Sequence, residues 1–304
     1  MNRETLAAID IGSNAIRLLI KYVEQCEETT TFKKAAFIRV PIRLGEDVFT
    51  VGAIGDAKRE KMRSAMVAFS ALMNTFNVKS YRACATSAMR EAANGSEVVE
   101  YIRKESGINI EIISGIEEAK TIFEAGDMER FISVDQNYIY VDVGGGSTEV
   151  TVYSGNSRVT SESFPLGTVR MLSGSVDKEA IKEFKDWLER IALPFKPVAI
   201  IGSGGNINKV HKLLSKQQGE SIKYAEIKQL YNQLKPLSYE ERIEQFGLNT
   251  YRADVIIPAM KIFTTAAKTC KIDSIVAPRI GLADGIIHSL SELSSSSPFA
   301  LPED

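Results

Sequence analysis

A short motif occurs twice in this chain, and its two copies are separated by almost half of the sequence. Each copy consists of a strand-like apolar run, an Asp, one more apolar residue, a glycine-containing turn and a second strand-like run. The two aspartates, Asp10 and Asp142, are 132 positions apart in a chain of 304 residues. A motif repeated at this distance predicts two structural halves with the same order of elements.

The periodicity of apolar residues predicts what that order is. Each half begins with three strands, and helices then alternate with strands. In the first half, the predicted strands are 5–11, 14–23, about 35–44, 81–85 and 108–113, and the predicted helices are 62–76, one from Ser96 and one from Ser114 to about Phe131. In the second half, the predicted strands are 138–143, 148–153, 158–164, 198–201 and 274–277, and the predicted helices are 177–193, 206–215, 224–234, 251–269 and 281–293. The pattern indicates an α/β fold of two domains, 1–132 and 133–304, with the option that helix 281–293 completes the first domain.

The composition argues against several classes of protein. There are 37 Lys and Arg residues against 39 Asp and Glu, a formal charge of −2, which does not favour a nucleic-acid or membrane-surface binder. Three widely spaced cysteines and two histidines, His211 and His288, favour neither a disulfide framework, nor a zinc site, nor a Ser-His-Asp triad. No uncharged apolar run approaches the ~18 residues of a membrane span. We therefore expect a cytoplasmic protein without nucleic-acid or membrane partners, and we leave a homodimer open.

The glycine-containing turns are typical of phosphate binding, because glycines let backbone N–H groups approach an anion closely. The second turn is not a Walker A loop, since no Gly-Lys-Ser/Thr follows, and a strand follows where a dinucleotide fingerprint needs a helix. An Asp at the end of each preceding strand can hold a divalent cation. The candidate phosphate-binding residues are Gly12, Ser13, Asn14, Arg17, Gly144, Gly145, Gly146, Ser147 and Thr148, and the candidate Mg²⁺ ligands are Asp10, Asp142 and Glu149.

These motifs resemble a known family. The two turns look like the phosphate-binding loops of the actin, sugar-kinase and heat-shock-chaperone ATPase superfamily. Within it, the chain resembles the exopolyphosphatase and guanosine pentaphosphate phosphohydrolase (Ppx/GppA) family in its short, two-domain form. The matching segments are 8–18, 43–46, 85–90, 114–119, 142–149 and 202–205, and they extend over nearly the whole chain. The resemblance implies two actin-like (ribonuclease H-like) domains with the active site in the cleft between them.

The resemblance also implies an activity, which is Mg²⁺-dependent hydrolysis of the terminal phosphoanhydride bond of inorganic polyphosphate or guanosine pentaphosphate. Arg90, in the segment Thr86–Arg90, is expected to stabilise negative charge on the phosphoryl group, because a guanidinium binds phosphate oxygens bidentately. A glutamate is expected to deprotonate the attacking water.

Two adjacent glutamates compete for the role of base. Ser114 and Glu117 have the spacing of a capping box, which would direct the side chain of Glu117 back to the helix N-terminus. Glu118 has no such structural role, and the resemblance places the proposed base at the same position. Both arguments favour Glu118.

Two other classes of protein keep the same turns. A small-molecule kinase of the actin fold would need a nucleotide site, to which the turn 202–206 could contribute. A non-catalytic alarmone- or nucleotide-binding protein would need the turns without a base. Arg90 and the Glu117-Glu118 pair favour the hydrolase. The sequence leaves open the preference between polyphosphate and guanosine pentaphosphate, the preferred chain length and the oligomeric state.

Overall fold

The first half of the chain forms a five-stranded sheet covered by helices. The structure is a computed structural model and describes residues 2–26, 29–123, 125, 131, 133–155, 157–217 and 219–295. The strands are β1 (Asn2–Ile11), β2 (Ile16–Cys26), β3 (Thr29–Val40), β4 (Ser80–Ala85) and β5 (Ile110–Ile112). The helices are α1 (Leu44–Val51), α2 (Asp56–Thr75), α3 (Ser87–Glu91), α4 (Gly95–Ser106) and α5 (Gly115–Phe123).

The second half forms a six-stranded sheet with its own helices. The strands are β6 (Asn137–Val143), β7 (Thr148–Ser154), β8 (Ser157–Phe164), β9 (Ala199–Ser203), β10 (Ile222–Lys223) and β11 (Ser274–Val276). The helices are α6 (Thr168–Leu172), α7 (Lys178–Trp187), α8 (Gly205–Leu213), α9 (Tyr224–Leu234), α10 (Tyr239–Phe246), α11 (Ile256–Thr269) and α12 (Leu282–Ser295). A π-helical turn, Leu188–Ala192, and a 3₁₀ turn, Leu193–Phe195, extend α7. Of the helices described, none has the length and apolar character to cross a bilayer.

The two sheets have the same topology. The first has the order β3-β2-β1-β4-β5, and the second, read in the corresponding direction, has the order β8-β7-β6-β9-β11-β10. In each, the first strand pairs antiparallel with the second and parallel with the fourth. The sheets differ by one short antiparallel strand, β10, at the edge of the second. This topology agrees with the repeat seen in the sequence, and the predicted α/β class is confirmed.

Three apolar cores hold the molecule together. Each sheet has its own core, and a third core lies where the two halves meet. The third core contains residues of β1 and β6 together with Ile122 of α5 and Ile286 of α12, both fully buried or nearly so. The last helix, although it follows the second sheet, therefore packs against elements of the first. The boundary between residues 132 and 133 stays a prediction.

The elements that the sequence pattern missed are short. Helices α1, α3, α6 and α10 and strand β10 have eight residues or fewer, which is too few for apolar periodicity to be read. The helix predicted over 251–269 begins only at Ile256, after a turn. The helix predicted to reach Phe131 is described only to Phe123, since residues 124 and 126–130 lie outside the described residues.

Candidate active site

A cavity of about 490 Å³ lies between the two halves, and both glycine-containing turns line it. Each turn joins two strands through four residues and is closed by one backbone hydrogen bond. Gly12 N–H donates to the carbonyl oxygen of Ala15 at 3.1 Å, and Gly144 N–H donates to that of Ser147 at 3.0 Å. The two turns are therefore built alike, and residues just before and just after them occupy equivalent positions.

The carbonyl groups of the turns are held from behind by other segments. In the first turn, Ser13 O accepts from Gly45 N–H at 2.9 Å and Asn14 O from Arg43 N–H at 3.1 Å. In the second turn, the carbonyls of residues 144 and 145 accept from the amides of residues 168–170 at 2.8–3.0 Å. The carbonyl of residue 146 accepts from the Arg170 side chain at 2.7 Å.

Because a trans peptide directs its N–H opposite to its C=O, these bonds orient the amides that follow. The N–H groups of Asn14, Gly145, Gly146 and Ser147 point away from the segments that hold the carbonyls. Within the described part of the chain, none of these four N–H groups donates to a protein acceptor. Successive free amides of this kind form a concave site for an anion.

The second turn needs glycine because it touches the first turn. A Cβ atom added at Gly145 would lie 2.9 Å from Ser13 Cβ and 3.2 Å from Asn14 N. A Cβ added at Gly146 would lie 2.1 Å from Ser87 Oγ. Neither glycine has a positive φ angle, so the backbone conformation does not require glycine at these positions. The close contact with the first half is the reason for glycine here.

Five carboxylates line the cavity, namely those of Asp10, Glu118, Asp142, Glu149 and Asp284, and that of Asp284 is paired with Lys21 at 2.7 Å. Asp10 and Asp142 occupy equivalent positions next to the turns. Asp10 pairs across its hairpin with Arg17, which donates to its carboxylate, whereas Asp142 pairs across its hairpin with Glu149. Glu149 Oε1 accepts from Ser147 Oγ at 2.6 Å and from Ser163 Oγ at 3.0 Å.

Crowding of the carboxylates shifts their protonation. Burial, together with repulsion from Asp10, raises the pKa of Asp142 to about 6. Burial and repulsion from Asp142 raise the pKa of Glu149 to about 7. Burial and repulsion from Glu149, Asp142 and Asp10 raise the pKa of Glu118 well above its ordinary value. The carboxylates of the site therefore repel one another, and a bound cation would reduce that repulsion.

The oxygen donors of this cavity fit a divalent cation that is shared with a substrate. No three acidic, His or Cys side chains among the described residues lie close enough to ligate one ion together. Magnesium is commonly held by one or two carboxylates, with water and phosphate oxygens completing its six ligands. The predicted ligands Asp10, Asp142 and Glu149 line one cavity and fit that arrangement, but not a site made of protein ligands alone.

Two of the predicted site residues do not line the cavity. Thr148 is fully buried, and its hydroxyl donates to the carbonyl oxygen of Leu166. Arg90 donates to the carbonyl oxygen of Ile113 at 2.7 Å and lowers the pKa of both Glu118 and Glu149. Arg90 therefore lies near the carboxylates of Glu118 and Glu149 without lining the cavity itself.

Glu117 and Glu118 have different surroundings, as expected, but Glu117 is held by an ion pair and not by a complete capping box. Ser114 Oγ accepts from Glu117 N–H at 3.1 Å, which is half of a capping box. The Glu117 carboxylate pairs with Arg82 at 2.8 Å and does not close the other half. Glu118 is half-buried and faces the cavity.

The sequence reading missed three arginines that line the cavity, Arg39, Arg252 and Arg279. Within the described residues, none of the three has a carboxylate at ion-pair distance. Burial and the positive charges of Arg17 and Arg252 lower the pKa of Arg39 to about 10, and its Nε and Nη1 are buried without a hydrogen-bond acceptor. The three come from separate segments with no local motif, and such residues can be found only from the folded chain.

The turn 202–206 also reaches the site. Gly204, Gly205 and Asn206 line the cavity where β9 ends and α8 begins. His211, on the same helix, is fully buried and is not a candidate catalyst. Its Nε2 lies 2.9 Å from the carbonyl oxygen of Glu220, so Nε2 carries the proton and Nδ1 accepts from Arg279 at 3.2 Å.

Known proteins resemble this chain over most of its length. The sequence matches the Ppx/GppA phosphatase family over residues 28–294. It is 24% identical to the guanosine-5'-triphosphate,3'-diphosphate pyrophosphatase of Aeromonas hydrophila over 95% of this chain and 60% of that protein. It is 23% identical to exopolyphosphatase 1 of Mycobacterium leprae over 93% of this chain and 88% of that protein.

The fold also matches a solved structure of this group. The crystal structure of the Aquifex aeolicus member of the Ppx/GppA family superposes with a TM-score of 0.75 and 25% identity, covering 98% of this chain and all of that one. The predicted pair of actin-like domains around a cleft is thereby confirmed. The chain spans 60% of the length of the pyrophosphatase from Aeromonas. On the extent of the family match and the agreement in fold, the chain belongs to the Ppx/GppA phosphatase family.

Proposed function

We propose that this protein hydrolyses the terminal phosphoanhydride bond of inorganic polyphosphate or of guanosine pentaphosphate. The observation that carries the proposal is that free amides of both turns and the carboxylates of Asp10, Glu118, Asp142 and Glu149 line one cavity. The amides suit a phosphoryl group, and a carboxylate beside them suits activation of water. The relatives that match this chain include a guanosine-5'-triphosphate,3'-diphosphate pyrophosphatase and an exopolyphosphatase, which agrees with either substrate.

The chain's own residues divide the work between them. The amides of Asn14, Gly145, Gly146 and Ser147 would bind the oxygens of the terminal phosphoryl group. Glu118 would accept a proton from the attacking water, because its raised pKa brings it towards the operating range of a general base. Arg17, already bound to Asp10, would place positive charge beside the transferred group.

Arginines without a carboxylate partner among the described residues support a substrate with several phosphates. Burial lowers the pKa of both Arg39 and Arg252, and electrostatic repulsion from Arg17 lowers them further. Arg39 and Arg252 also repel one another. An anion that lies between these arginines would relieve that repulsion. A substrate with a single phosphate would occupy the turns and leave Arg39 and Arg252 without an anionic partner.

One or two of the carboxylates of Asp10, Asp142 and Glu149 would hold the divalent cation, which we propose to be Mg²⁺, and water and phosphate oxygens would complete its ligands. When bound, it would neutralise negative charge on the phosphoryl oxygens and on the carboxylates. Without it, the carboxylates of Asp10, Glu118, Asp142 and Glu149 would face an anionic substrate directly.

A cation of this kind is expected to change stability in a pH-dependent way. Asp142 and Glu149 have raised pKa values in the folded protein, so the free energy of unfolding should fall as the pH rises from about 4.5 to about 7. Mg²⁺ should reverse this loss and therefore raise the melting temperature at pH 8 more than at pH 5. Thermal unfolding at both pH values, with Mg²⁺ and with EDTA, measures the difference. Equal stabilisation at the two pH values, or full turnover in excess EDTA, would contradict a cation held by these carboxylates.

Arg90 is expected to act through Glu118. Arg90→Gln removes the positive charge that lowers the pKa of Glu118, so activity at neutral pH should fall severalfold and recover as the pH is raised. Arg90→Lys keeps the charge and should stay close to the wild type, because Arg90 does not line the cavity. The pH profile of kcat for both variants is the measurement. A large loss in Arg90→Lys at every pH would instead indicate direct contact with the substrate.

Phosphate release from purified protein tests the activity itself. Inorganic polyphosphate and guanosine pentaphosphate are compared with and without Mg²⁺, and the expected result is release from at least one of them. A parallel reaction with ATP and a panel of sugars and carboxylic acids tests the kinase alternative, since the turn 202–206 lines the cavity. Phosphorylated acceptor without release from either polyphosphate or guanosine pentaphosphate would overturn the hydrolase.

A further inference from the structure

We propose that Arg170 is a positioning residue. Through Arg170, the orientation of the Gly146–Ser147 peptide depends on the contact between the two halves of the molecule. This rests on the proposed function, because that peptide supplies one of the amides expected to bind phosphate. Arg170 belongs to α6 of the second half, and only 9% of its surface is exposed. No motif in the sequence marks it.

The Arg170 guanidinium joins three elements. Its Nε donates to the carbonyl oxygen of Gly146 at 2.7 Å. Its Nη2 lies 2.6 Å from each carboxylate oxygen of Glu91, on α3 of the first half. Its flat face lies 3.9 Å from the ring centroid of Phe49, on α1 of the first half. One side chain therefore contacts the second turn and two helices of the opposite half.

The bond to Gly146 differs from those made by its neighbours. The carbonyls of Gly144 and Gly145 are held by backbone amides of their own half, which stay in place if the halves separate. The carbonyl of Gly146 is held by a side chain whose other partners are all in the first half. If Glu91 moved away, Arg170 would lose the contacts that fix its guanidinium, and the Ser147 N–H would no longer be directed into the cavity.

The network continues to the cavity wall. Ser87 Oγ donates to Glu91 Oε1 at 3.0 Å, and Ser87 lines the cavity. The space around Gly146 is also closed, since a Cβ there would lie 2.4 Å from Phe49 Cζ. The contact between the two halves and the geometry of the second turn therefore depend on the same side chains, those of Arg170, Glu91 and Phe49.

Binding of inorganic phosphate and of tripolyphosphate, measured by calorimetry, tests the proposal without relying on hydrolysis. The variants are Arg170→Lys, which keeps the charge without the planar fork, Glu91→Gln, and the double variant. The matched control is Arg103→Lys with Glu100→Gln, an exposed pair on α4 whose atoms lie 2.8 Å apart. Melting temperatures are recorded for every variant.

We expect Arg170→Lys to weaken binding about tenfold, the worth of one charge-assisted hydrogen bond. Glu91→Gln should weaken it about threefold to tenfold, although Glu91 does not line the cavity, and the double variant should bind no more weakly than the weaker single variant. The control pair should leave affinity unchanged. If Arg170→Lys and Glu91→Gln bound phosphate and tripolyphosphate as tightly as the wild type and differed only in a lower melting temperature, the role of Arg170 would be purely structural and the proposal would be overturned. Fully additive losses would also overturn it. Phosphate binding without hydrolysis in the wild type would count against the proposed function and leave this test intact.

Discussion

Replacement of Glu118 by Gln is expected to lower kcat by about two to four orders of magnitude, the usual contribution of a general base. The side chain faces the cavity beside the free amides of both turns, and Gln keeps its shape but cannot accept the proton. The Michaelis constant should change little, because the amides and arginines that bind the anion remain. Steady-state kinetics on polyphosphate or guanosine pentaphosphate, whichever the wild type hydrolyses, gives both values.

Glu118→Gln should also make the protein more stable at pH 8 in the absence of a divalent cation. The pKa of Glu118 is raised by burial and by three neighbouring carboxylates, so the ionised form is unfavourable in the folded state. A neutral Gln removes that repulsion, and the melting temperature should rise. Loss of activity together with a gain in stability would separate a functional residue from a structural one.

Glu117→Gln is the matched control for this experiment. Glu117 is adjacent in the chain, but its carboxylate pairs with Arg82 and its side chain is 44% exposed. An exposed pair of this kind contributes about 0–1 kcal/mol, so we expect little change in either kcat or melting temperature. A larger loss of kcat in Glu117→Gln than in Glu118→Gln would mean that the base has been assigned to the wrong residue.

Gly145→Val is expected to lower turnover at least about a hundredfold, because displacement of a site by about 1 Å can cost that much. The first added carbon would lie 2.9 Å from Ser13 Cβ and 3.3 Å from Val169 Cγ2, so the first turn must shift. The amides of the two turns would then no longer converge on one phosphoryl group. Turnover and phosphate affinity should fall together.

Gly12→Ala and a compensating variant serve as comparisons. A Cβ at Gly12 would meet no atom closer than 3.4 Å, so Gly12→Ala should be much milder than Gly145→Ala. Ser13→Gly removes the closest atom and should restore part of the activity of Gly145→Ala. Circular dichroism and melting temperature confirm that each variant is folded. Normal turnover in folded Gly145→Val would mean that the two turns do not act on the same group.

The repeated motif could be found in the sequence because its parts are adjacent along the chain. Asp10 and Asp142 follow strands and precede turns, so their approach to one cavity could be predicted from two short segments. Alternation along β7 also predicts that Thr148 and Glu149 point to opposite sides of the sheet. Since Glu149 lines the cavity, the assignment of Thr148 to phosphate binding conflicted with that rule.

Residues that act across the two halves could not be predicted in this way. Arg39, Arg252 and Arg279 lie in segments without a shared motif, and tertiary packing alone brings them to one cavity. Arg170 does not line that cavity, and packing alone brings it to the carbonyl oxygen of Gly146. Arg90 carried a family motif, but its orientation depends on the carbonyl of Ile113, which no local pattern specifies.

The two hairpins are alike in backbone and opposite in charge. The position after the first turn holds Arg17 opposite Asp10, and the equivalent position after the second holds Glu149 opposite Asp142. The opposite charges of Asp10 and Arg17 cancel on one wall of the cavity, whereas the negative charges of Asp142 and Glu149 add on the other. A cation is therefore drawn more strongly to the wall of Asp142 and Glu149 than to the wall of Asp10 and Arg17. A pair of equivalent positions thus gives polarity to a scaffold that is otherwise nearly symmetric.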